Sequence, residues 1–254
     1  MSIVYGPVPS WRLGRSLGVD LLSTATNTCS FDCAYCQLGP TANPQTERTE
    51  FVSLGDLAKE LEGVRHVPAD YATFSGMGEP TLAANLGRAI ETVKATLGLP
   101  VAVLTNSSLI PTEDVRTELE QADLVVAKVD APTEEIFQVV NSPFSIYTLA
   151  EILQGLERFR AHYRGKLALQ MMFVEANRHC AREMARIAKE LSPDEVQINT
   201  PLRPCAVKPL PPEELAAIRR GFSELKLVTT VYDAPAFTTE ALNPDETARR
   251  RPEA

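Results

Sequence analysis

The sequence predicts an α/β fold in which parallel strands form a partial (βα)6 barrel of the TIM type, with the helices outside. Short apolar runs alternate with longer amphipathic runs, which is typical of repeated βα units around a parallel sheet. Polar residues share one face of several strands near the carboxyl ends of those strands. This pattern favours a curved barrel with a lumen open to a ligand over an open doubly wound sheet.

The strands are placed by their apolar runs and by the turn residues between them. The first candidate is LGVDLL, which ends at Leu22 and is followed by a loop that contains cysteines. The other strands are expected in YATFSG (71–76), VAVLTN (101–106), LVVAKVD (124–130), KLALQMMFVE (166–175) and EVQINT (195–200), and LKLVTTVYD (225–233) is a candidate edge strand.

The helices between these strands are predicted from their periodicity and their caps. Ser53 and Asp56 have capping-box spacing, as do Thr148 and Glu151, and Gly98 stands where a helix ends. The segments expected to be helical are 53–64, 82–98, the residues after Pro111, 132–140, 148–163, 179–191 and 212–225.

Side-chain alternation along the strands separates a polar face from an apolar one. The polar face carries Thr73, Ser75, Lys128, Asp130, Gln170, Gln197 and Asn199. The opposite face carries Phe74, Val125, Val129, Leu167, Leu169, Met171, Val196 and Ile198, which suits contact with outer helices. We therefore expect the polar face to line the lumen.

Length and composition indicate one large domain with a polar end. The chain has 254 residues and 44% apolar content, enough for a single core over residues 1–235, including an amino-terminal extension. Residues 236–254 lack an apolar pattern and are expected to form a flexible tail.

Charge and hydropathy restrict the expected cellular compartment and the expected classes of binding partner. A net charge of −8 argues against a broad basic surface for nucleic-acid backbones. The sequence shows neither a signal-peptide pattern nor an apolar run of about 18 residues. We therefore expect a cytoplasmic protein without a membrane partner.

Three of the five cysteines lie in the segment TNTCSFDCAYCQLG, residues 26–39, as Cys29, Cys33 and Cys36. Clustered cysteines in a reducing compartment are more often metal ligands than disulfides. Structural zinc takes four ligands, and no second pair lies nearby. A [4Fe–4S] cluster is held by cysteine thiolates, so three cysteines would leave one iron open for a reactant.

Three further residues are candidates for the substrate side of the site. Lys128 would bind a carboxylate or phosphate, or else form an ion pair with Asp130. Arg203 follows the sixth predicted strand, and its planar fork suits bidentate binding of an anion. Cys205 would quench a radical or bind substrate, or else be an inert loop thiol.

The cysteine spacing C-x-x-x-C-x-x-C, with Tyr35 before the third cysteine, resembles the cluster motif of the radical S-adenosylmethionine (radical SAM) superfamily. FSGMGEPTL resembles the glycine-rich element with which that superfamily binds methionine, because Gly78 and Glu79 directly follow a strand. The resemblance implies reductive cleavage of S-adenosylmethionine to a 5′-deoxyadenosyl radical that abstracts a substrate hydrogen.

The resemblance also implies roles for individual residues. Cys29, Cys33 and Cys36 would bind the [4Fe–4S] cluster, and an external donor such as flavodoxin or ferredoxin would supply one electron. Tyr35 would contact the adenine or else pack beneath the loop. The residues implied at the methionine moiety are Ser75, Gly76, Gly78 and Glu79, and those at the ribose, adenine or substrate are Asn106, Asp130, Gln170 and Asn199.

A narrower resemblance covers most of residues 3–205. The segments VYGPVPSWRLGRSLGVDLL, YCQLGPT, VDAPTEEIFQVVNSP and QINTPLRP are similar to wyosine-synthase-related radical SAM proteins of bacteria and archaea. The chain departs from that group at Trp11 and Lys128, where arginine and serine are expected, and lacks the further carboxyl-terminal domain that members often carry.

Three functions follow from these patterns. The first is radical chemistry on a peptide, protein or small molecule, which the compact barrel favours. The second is modification of a tRNA base, which the wyosine resemblance suggests and the acidic charge disfavours. The third is a non-catalytic iron–sulfur protein, for which the GMGEP segment would have no role.

Overall fold

The computed structural model describes residues 1–233 and 238–252. Its main sheet has eight strands in the order β1-β2-β5-β6-β7-β8-β9-β10. β1 and β2 are antiparallel, and every other neighbouring pair is parallel. The sheet does not close within the described residues, because β1 and β10 form its edges. An α/β fold with a mostly parallel, unclosed sheet is therefore confirmed.

The strands of the main sheet agree with the predicted segments from the second onward. Their bounds are β1 Val4–Ser10, β2 Gly14–Val19, β5 Tyr71–Phe74, β6 Val101–Thr105, β7 Leu124–Lys128, β8 Lys166–Met172, β9 Glu195–Asn199 and β10 Val228–Thr230. A separate two-stranded sheet pairs β3 (Thr28–Cys29) with β4 (Asn43–Pro44).

Eight α-helices lie within the described residues. Their bounds are α1 Leu54–Val64, α2 Leu86–Leu97, α3 Glu113–Leu119, α4 Glu134–Asn141, α5 Leu149–His162, α6 Ala181–Leu191, α7 Pro212–Arg220 and α8 Pro244–Arg250. The capping box of Thr148 and Glu151 is confirmed at α5, and Gly98 is left-handed at the end of α2. The first seven helices match predicted segments.

The amino-terminal hairpin differs from the prediction. The first predicted strand, residues 17–22, is shifted, because β2 begins at Gly14 and ends at Val19. β1 was not predicted at all. It carries Pro7 and Pro9, which are tolerated at the edge of a sheet but break the alternation by which a strand is recognised.

The outer face of the sheet packs against the helices as predicted. All eight apolar strand residues assigned to that face belong to the main core cluster. They meet helix residues such as Leu57, Ile90, Phe159 and Met184, each of which is fully buried. Burial of this apolar surface is the main stabilising contribution to the fold.

The hairpin turn between β1 and β2 closes the lower part of the lumen. Leu13 in that turn packs in a second core cluster with Ala102, Leu124, Val126 and Ala168 from three strands. Further along the same faces, the register aligns Lys128 with Gln170 and Gln170 with Gln197. The lumen is therefore apolar at its floor and polar toward the carboxyl ends of the strands.

Residues 244–250 correct the prediction of a flexible tail over residues 236–254. Asn243 caps α8, accepting from the Glu246 amide at 3.1 Å. Arg250 is 1% exposed, and its Nε donates to Asp20 at the end of β2 at 2.8 Å. Its Nη1 also donates to Glu246 at 2.8 Å. The sequence did not indicate the burial of Arg250, because the Asp20 carboxylate that binds it lies 230 residues earlier.

The predicted domain boundary at residue 235 lies outside the described residues. Within the described part, no helix is long and apolar enough to cross a membrane.

The buried ion pair of Arg250 and Asp20 predicts a strong dependence of stability on Arg250. Arg250→Ala leaves the Asp20 carboxylate buried beside a cavity, so we expect the free energy of unfolding to fall by about 3 kcal/mol or more. Urea denaturation followed by circular dichroism measures it. Arg249→Ala is the control, since Arg249 is exposed on the same helix, and we expect a change within about 0.5 kcal/mol. Equal losses would contradict the prediction.

Candidate functional site

A cavity of about 640 Å³ opens at the carboxyl ends of the strands. Most of the candidate residues line it. Those that do are Cys29, Cys33, Tyr35, Cys36, Ser75, Gly76, Gly78, Glu79, Asn106, Lys128, Gln170, Asn199 and Arg203. Asp130 and Cys205 are not among its lining residues, so their predicted places in the site need correction.

The cysteine loop, residues 26–39, is held by backbone hydrogen bonds to two other segments. The Thr28 amide donates to the Met77 carbonyl at 2.8 Å, and the Glu79 amide donates to the Thr28 carbonyl at 3.3 Å. On the other side, the Ala34 amide donates to the carbonyl of Val140 in α4 at 3.0 Å. The loop is therefore fixed between the glycine turn, residues 75–79, and the end of α4.

Each cysteine of the loop receives one amide N–H from a different asparagine. Asn27 Nδ2 lies 3.6 Å from Cys36 Sγ, Asn106 Nδ2 lies 3.5 Å from Cys29 Sγ, and Asn141 Nδ2 lies 3.5 Å from Cys33 Sγ. Asn27 and Asn141 were missed by the sequence reasoning. Asn27 stands two residues before the first cysteine, but no local signal marks Asn141 at the end of α4.

Burial favours the protonated form of two of these thiols, those of Cys29 and Cys33. It raises the pKa of Cys29 to about 12 and the pKa of Cys33 to about 11, with the nearby Glu79 carboxylate adding to the shift of Cys29. Deprotonation therefore requires a positively charged partner, and metal binding to thiolates supplies one.

The three thiols are the residues of this site that could hold an iron–sulfur cluster. No three Cys, His, Asp or Glu side chains among the described residues converge to hold one metal ion. The three sulfurs instead line one cavity, each with its own amide donor. A cluster suits three separate thiols, because each cysteine binds a different iron and hydrogen bonds to the sulfurs adjust the reduction potential of the cluster.

Close approach of two backbones makes Gly78 necessary. A Cβ added at Gly78 would lie 1.6 Å from the Thr28 carbonyl oxygen, and the Gly78 φ of +152° disfavours any side chain. The cysteine loop can therefore pack on the glycine turn only if residue 78 is glycine.

The Glu79 carboxylate holds the glycine turn from within. Glu79 is 2% exposed, and it accepts from Thr105 Oγ1 at 2.6 Å, from the Asn106 amide at 2.6 Å and from Thr81 Oγ1 at 2.7 Å. Burial raises the pKa of Glu79, and these hydrogen bonds oppose that shift. The Glu79 carboxylate is thus occupied by hydrogen bonds from neighbouring residues, while the Glu79 backbone borders the cavity.

Tyr35, Lys128 and Asp130 are arranged differently from the predicted ion pair. Lys128 Nζ lies 4.7 Å from the centre of the Tyr35 ring and 3.5 Å from its hydroxyl. The Tyr35 hydroxyl donates to the Asp130 carboxylate, which also accepts from the Met172 amide at 2.8 Å and from Asn141 Nδ2 at 3.0 Å. The Tyr35 hydroxyl therefore binds the Asp130 carboxylate that Lys128 was expected to pair with.

This network corrects the role assigned to Asp130. Asp130 is 3% exposed, and its carboxylate is bonded to the protein, so Asp130 supports the cysteine loop through Tyr35 and Asn141. Burial and the Asp130 charge raise the pKa of Tyr35 well above its usual value, so the hydroxyl remains a donor.

Arg203 and Cys205 have separate surroundings. Arg203 lines the cavity, and its Nη1 donates to Gln37 Oε1 at 3.3 Å. The Cys205 thiol donates to the Val207 carbonyl at 3.1 Å, and its side chain packs on a cluster that contains Tyr35 and Met172. Cys205 is a loop thiol that is not among the residues lining the cavity.

The backbone contact at Gly78 generates a prediction. Gly78→Ala forces the Thr28 carbonyl away from the turn, so we expect the free energy of unfolding to fall by about 3 kcal/mol or more. Urea denaturation measures the loss. Gly98→Ala is the control, since Gly98 is left-handed but has open space where a Cβ would lie, and we expect a cost of about 1 kcal/mol. Similar losses in both variants would contradict the steric argument.

Comparison with known proteins agrees with this geometry. The family model of the radical SAM superfamily matches residues 23–188, which include the cysteine loop and the glycine turn. The chain therefore belongs to the radical SAM superfamily.

Relatives place the chain more narrowly. It is 39% identical over 227 residues to UPF0026 protein MJ1312 of Methanocaldococcus jannaschii, covering 87% of this chain and 70% of that protein. The chain thus groups with the UPF0026 proteins. The wyosine-synthase-related subgroup stays a prediction, because this relative does not carry that name.

Solved structures share the fold. Streptococcus suis SuiB bound to its precursor peptide SuiA has a TM-score of 0.65 at 12% identity, covering 87% of this chain and 50% of that chain. The protein anSMEcpe with bound AdoMet (S-adenosylmethionine) has a TM-score of 0.63 at 17% identity, covering 85% of this chain and 64% of that chain. These likenesses identify the mostly parallel partial barrel as the radical SAM fold.

Proposed function

We propose that the protein is a radical SAM enzyme that holds a [4Fe–4S] cluster at Cys29, Cys33 and Cys36 and binds S-adenosylmethionine beside it. The observation that carries the proposal is the backbone contact of the cysteine loop with the glycine turn at the mouth of one cavity. When bound, these groups supply a 5′-deoxyadenosyl radical that abstracts hydrogen from a substrate.

The residues of the chain would bind and orient these groups. The backbone around Gly76 and Gly78 would accept from the ammonium group of S-adenosylmethionine, and Asn106 and Asn199 would offer amides to its polar atoms. Tyr35, fixed by Asp130, would form an apolar wall. The three sulfurs line the cavity and are half-buried, which would limit the access of water to the cluster.

The substrate class that we propose is a peptide, a protein or a small molecule. The net charge of −8 favours this class over a tRNA base, since phosphate backbones are bound by clustered lysine and arginine. The electron would come from an external one-electron donor such as flavodoxin or ferredoxin.

Formation of 5′-deoxyadenosine tests the proposal. After anaerobic reconstitution with iron and sulfide, reduction and addition of S-adenosylmethionine, we expect 5′-deoxyadenosine to appear and Cys33→Ala to abolish it, because the third ligand is lost. Chromatography of the quenched reaction measures the product. Cys205→Ala is the control and keeps the activity, since Cys205 lies outside the cavity. Full cluster content in Cys33→Ala would refute the ligand assignment.

The asparagine donors predict an effect on the reduction potential. Asn27→Ala removes an N–H···S contact at Cys36 that stabilises the added electron, so we expect a more negative midpoint potential of the reconstituted cluster. A redox titration followed by electron paramagnetic resonance measures the shift. Asn43→Ala is the control: Asn43 donates to Thr28 Oγ1 near the loop but contacts no sulfur in the described structure. An unchanged potential in Asn27→Ala would argue against the role.

A further inference from the structure

We propose that the cavity contains an anion subsite, built around the guanidinium of Arg12 with Lys128 and Arg203, which holds a carboxylate or phosphate group of the substrate. The assignment of this anion to the substrate rests on the proposed function. The subsite itself rests on the position and charge of the three side chains and on the buried Nε of Arg12.

Arg12 reaches the lumen from the turn of the β1–β2 hairpin. Its neighbour Leu13 is 3% exposed and anchors that turn in the floor of the lumen. Arg12 lines the cavity, and its Nη1 donates to Gln170 Oε1 at 2.9 Å. The Trp11 ring lies 5.1 Å from the guanidinium carbon. The hairpin thus places a cation inside the barrel.

The guanidinium of Arg12 has an unfilled hydrogen-bonding position. Its Nε is buried and has no hydrogen-bond partner among the described residues. Arg12 is also absent from the ion pairs of the described residues, although its charge is partly balanced by Glu195, which itself binds Lys166 at 2.6 Å. A buried donor without a partner costs free energy, and an anion in the cavity would remove that cost.

Other cations surround the same space. Lys128, Arg203 and Arg251 line the cavity, whereas Glu79 is the single acidic residue among its described lining residues, and its carboxylate is bonded to the protein. Burial first, and then repulsion by Arg251 and Arg203, lowers the pKa of Arg12 to about 10. Arg12 therefore still carries its charge at neutral pH, in a setting that favours a bound anion.

The geometry separates Arg12, the centre of this subsite, from the cysteine loop. Arg12 precedes β2, whereas the cysteine loop follows it, so the two belong to opposite ends of a strand of six residues, on the order of 17 Å long. Gln170, the partner of Arg12, lies opposite Lys128 in the register. The carboxylate of S-adenosylmethionine would lie at the cysteine end, so Arg12 is left for a different anion.

Calorimetric titration of the reconstituted, unreduced protein tests the subsite. Inorganic phosphate and malonate are added separately at constant ionic strength, with and without saturating S-adenosylmethionine. We expect saturable binding of at least one anion in both conditions. Trp11 is the single tryptophan of the chain, so a parallel change in its fluorescence locates the binding at Arg12.

Variants assign the binding to residues. Arg12→Gln keeps a hydrogen-bonding side chain but removes the charge, so we expect anion affinity to fall at least about tenfold. Arg12→Lys keeps the charge without the fork, and we expect partial recovery. Arg65→Gln is the matched control, since Arg65 pairs with Glu62 on the surface of α1, and it leaves the affinity unchanged. Arg203→Gln gives a second measurement if Arg12→Gln does not fold.

The outcomes separate this proposal from the proposed function. Binding of phosphate alone identifies a phosphoryl group, and binding of malonate identifies a carboxylate. No binding, equal binding in Arg12→Gln, or displacement of the anion by S-adenosylmethionine would overturn the subsite. Anion binding without any formation of 5′-deoxyadenosine would overturn the proposed function and leave the subsite in place.

Discussion

The site depends on one close contact, that between the Thr28 carbonyl and the backbone of Gly78. Two segments about fifty residues apart meet there, and the pairing of Thr28 with Gly78 leaves no space for a side chain at residue 78. The contact fixes the cysteine loop against the glycine turn, so the proposed cluster ligands and the proposed methionine site form one structural unit. Glu79 holds the turn from the interior through hydrogen bonds that offset the cost of burying its carboxylate.

Asp20 extends this unit to the chain ends. Its Oδ2 accepts from the Met77 amide at 3.2 Å and from Arg250 Nε at 2.8 Å, so one carboxylate supports both the glycine turn and α8. The Arg250 carbonyl in turn accepts from Gln37 Nε2 of the cysteine loop at 2.8 Å. The last helix is therefore part of the wall of the site, and its loss would disturb the cysteine loop and the turn together.

Local patterns predicted what local forces determine. The outer faces, the α5 capping box and the Gly98 cap depend on neighbours in sequence, and the structure confirms them. β1 was missed because Pro7 and Pro9 break its alternation, and α8 was missed because Asp20, which binds its Arg250, is far along the chain. The alternation of side chains along the strand predicted that Lys128 and Asp130 share a face. It could not show that the Tyr35 hydroxyl, from another segment, donates to the Asp130 carboxylate in place of Lys128.

The hairpin divides the lumen into two chemical regions. The carboxyl end of β2 leads into the cysteine loop. Backbone hydrogen bonds join this loop to the glycine turn, so a change in either segment would displace the proposed cluster ligands. The amino end of β2 follows the turn of Trp11, Arg12 and Leu13, in which Leu13 packs in the floor of the lumen and its amide donates to Ser10 Oγ at 3.2 Å. Because that turn lies at the other end of β2 from the cysteine loop, a substitution there can change the proposed anion subsite without displacing the proposed cluster ligands.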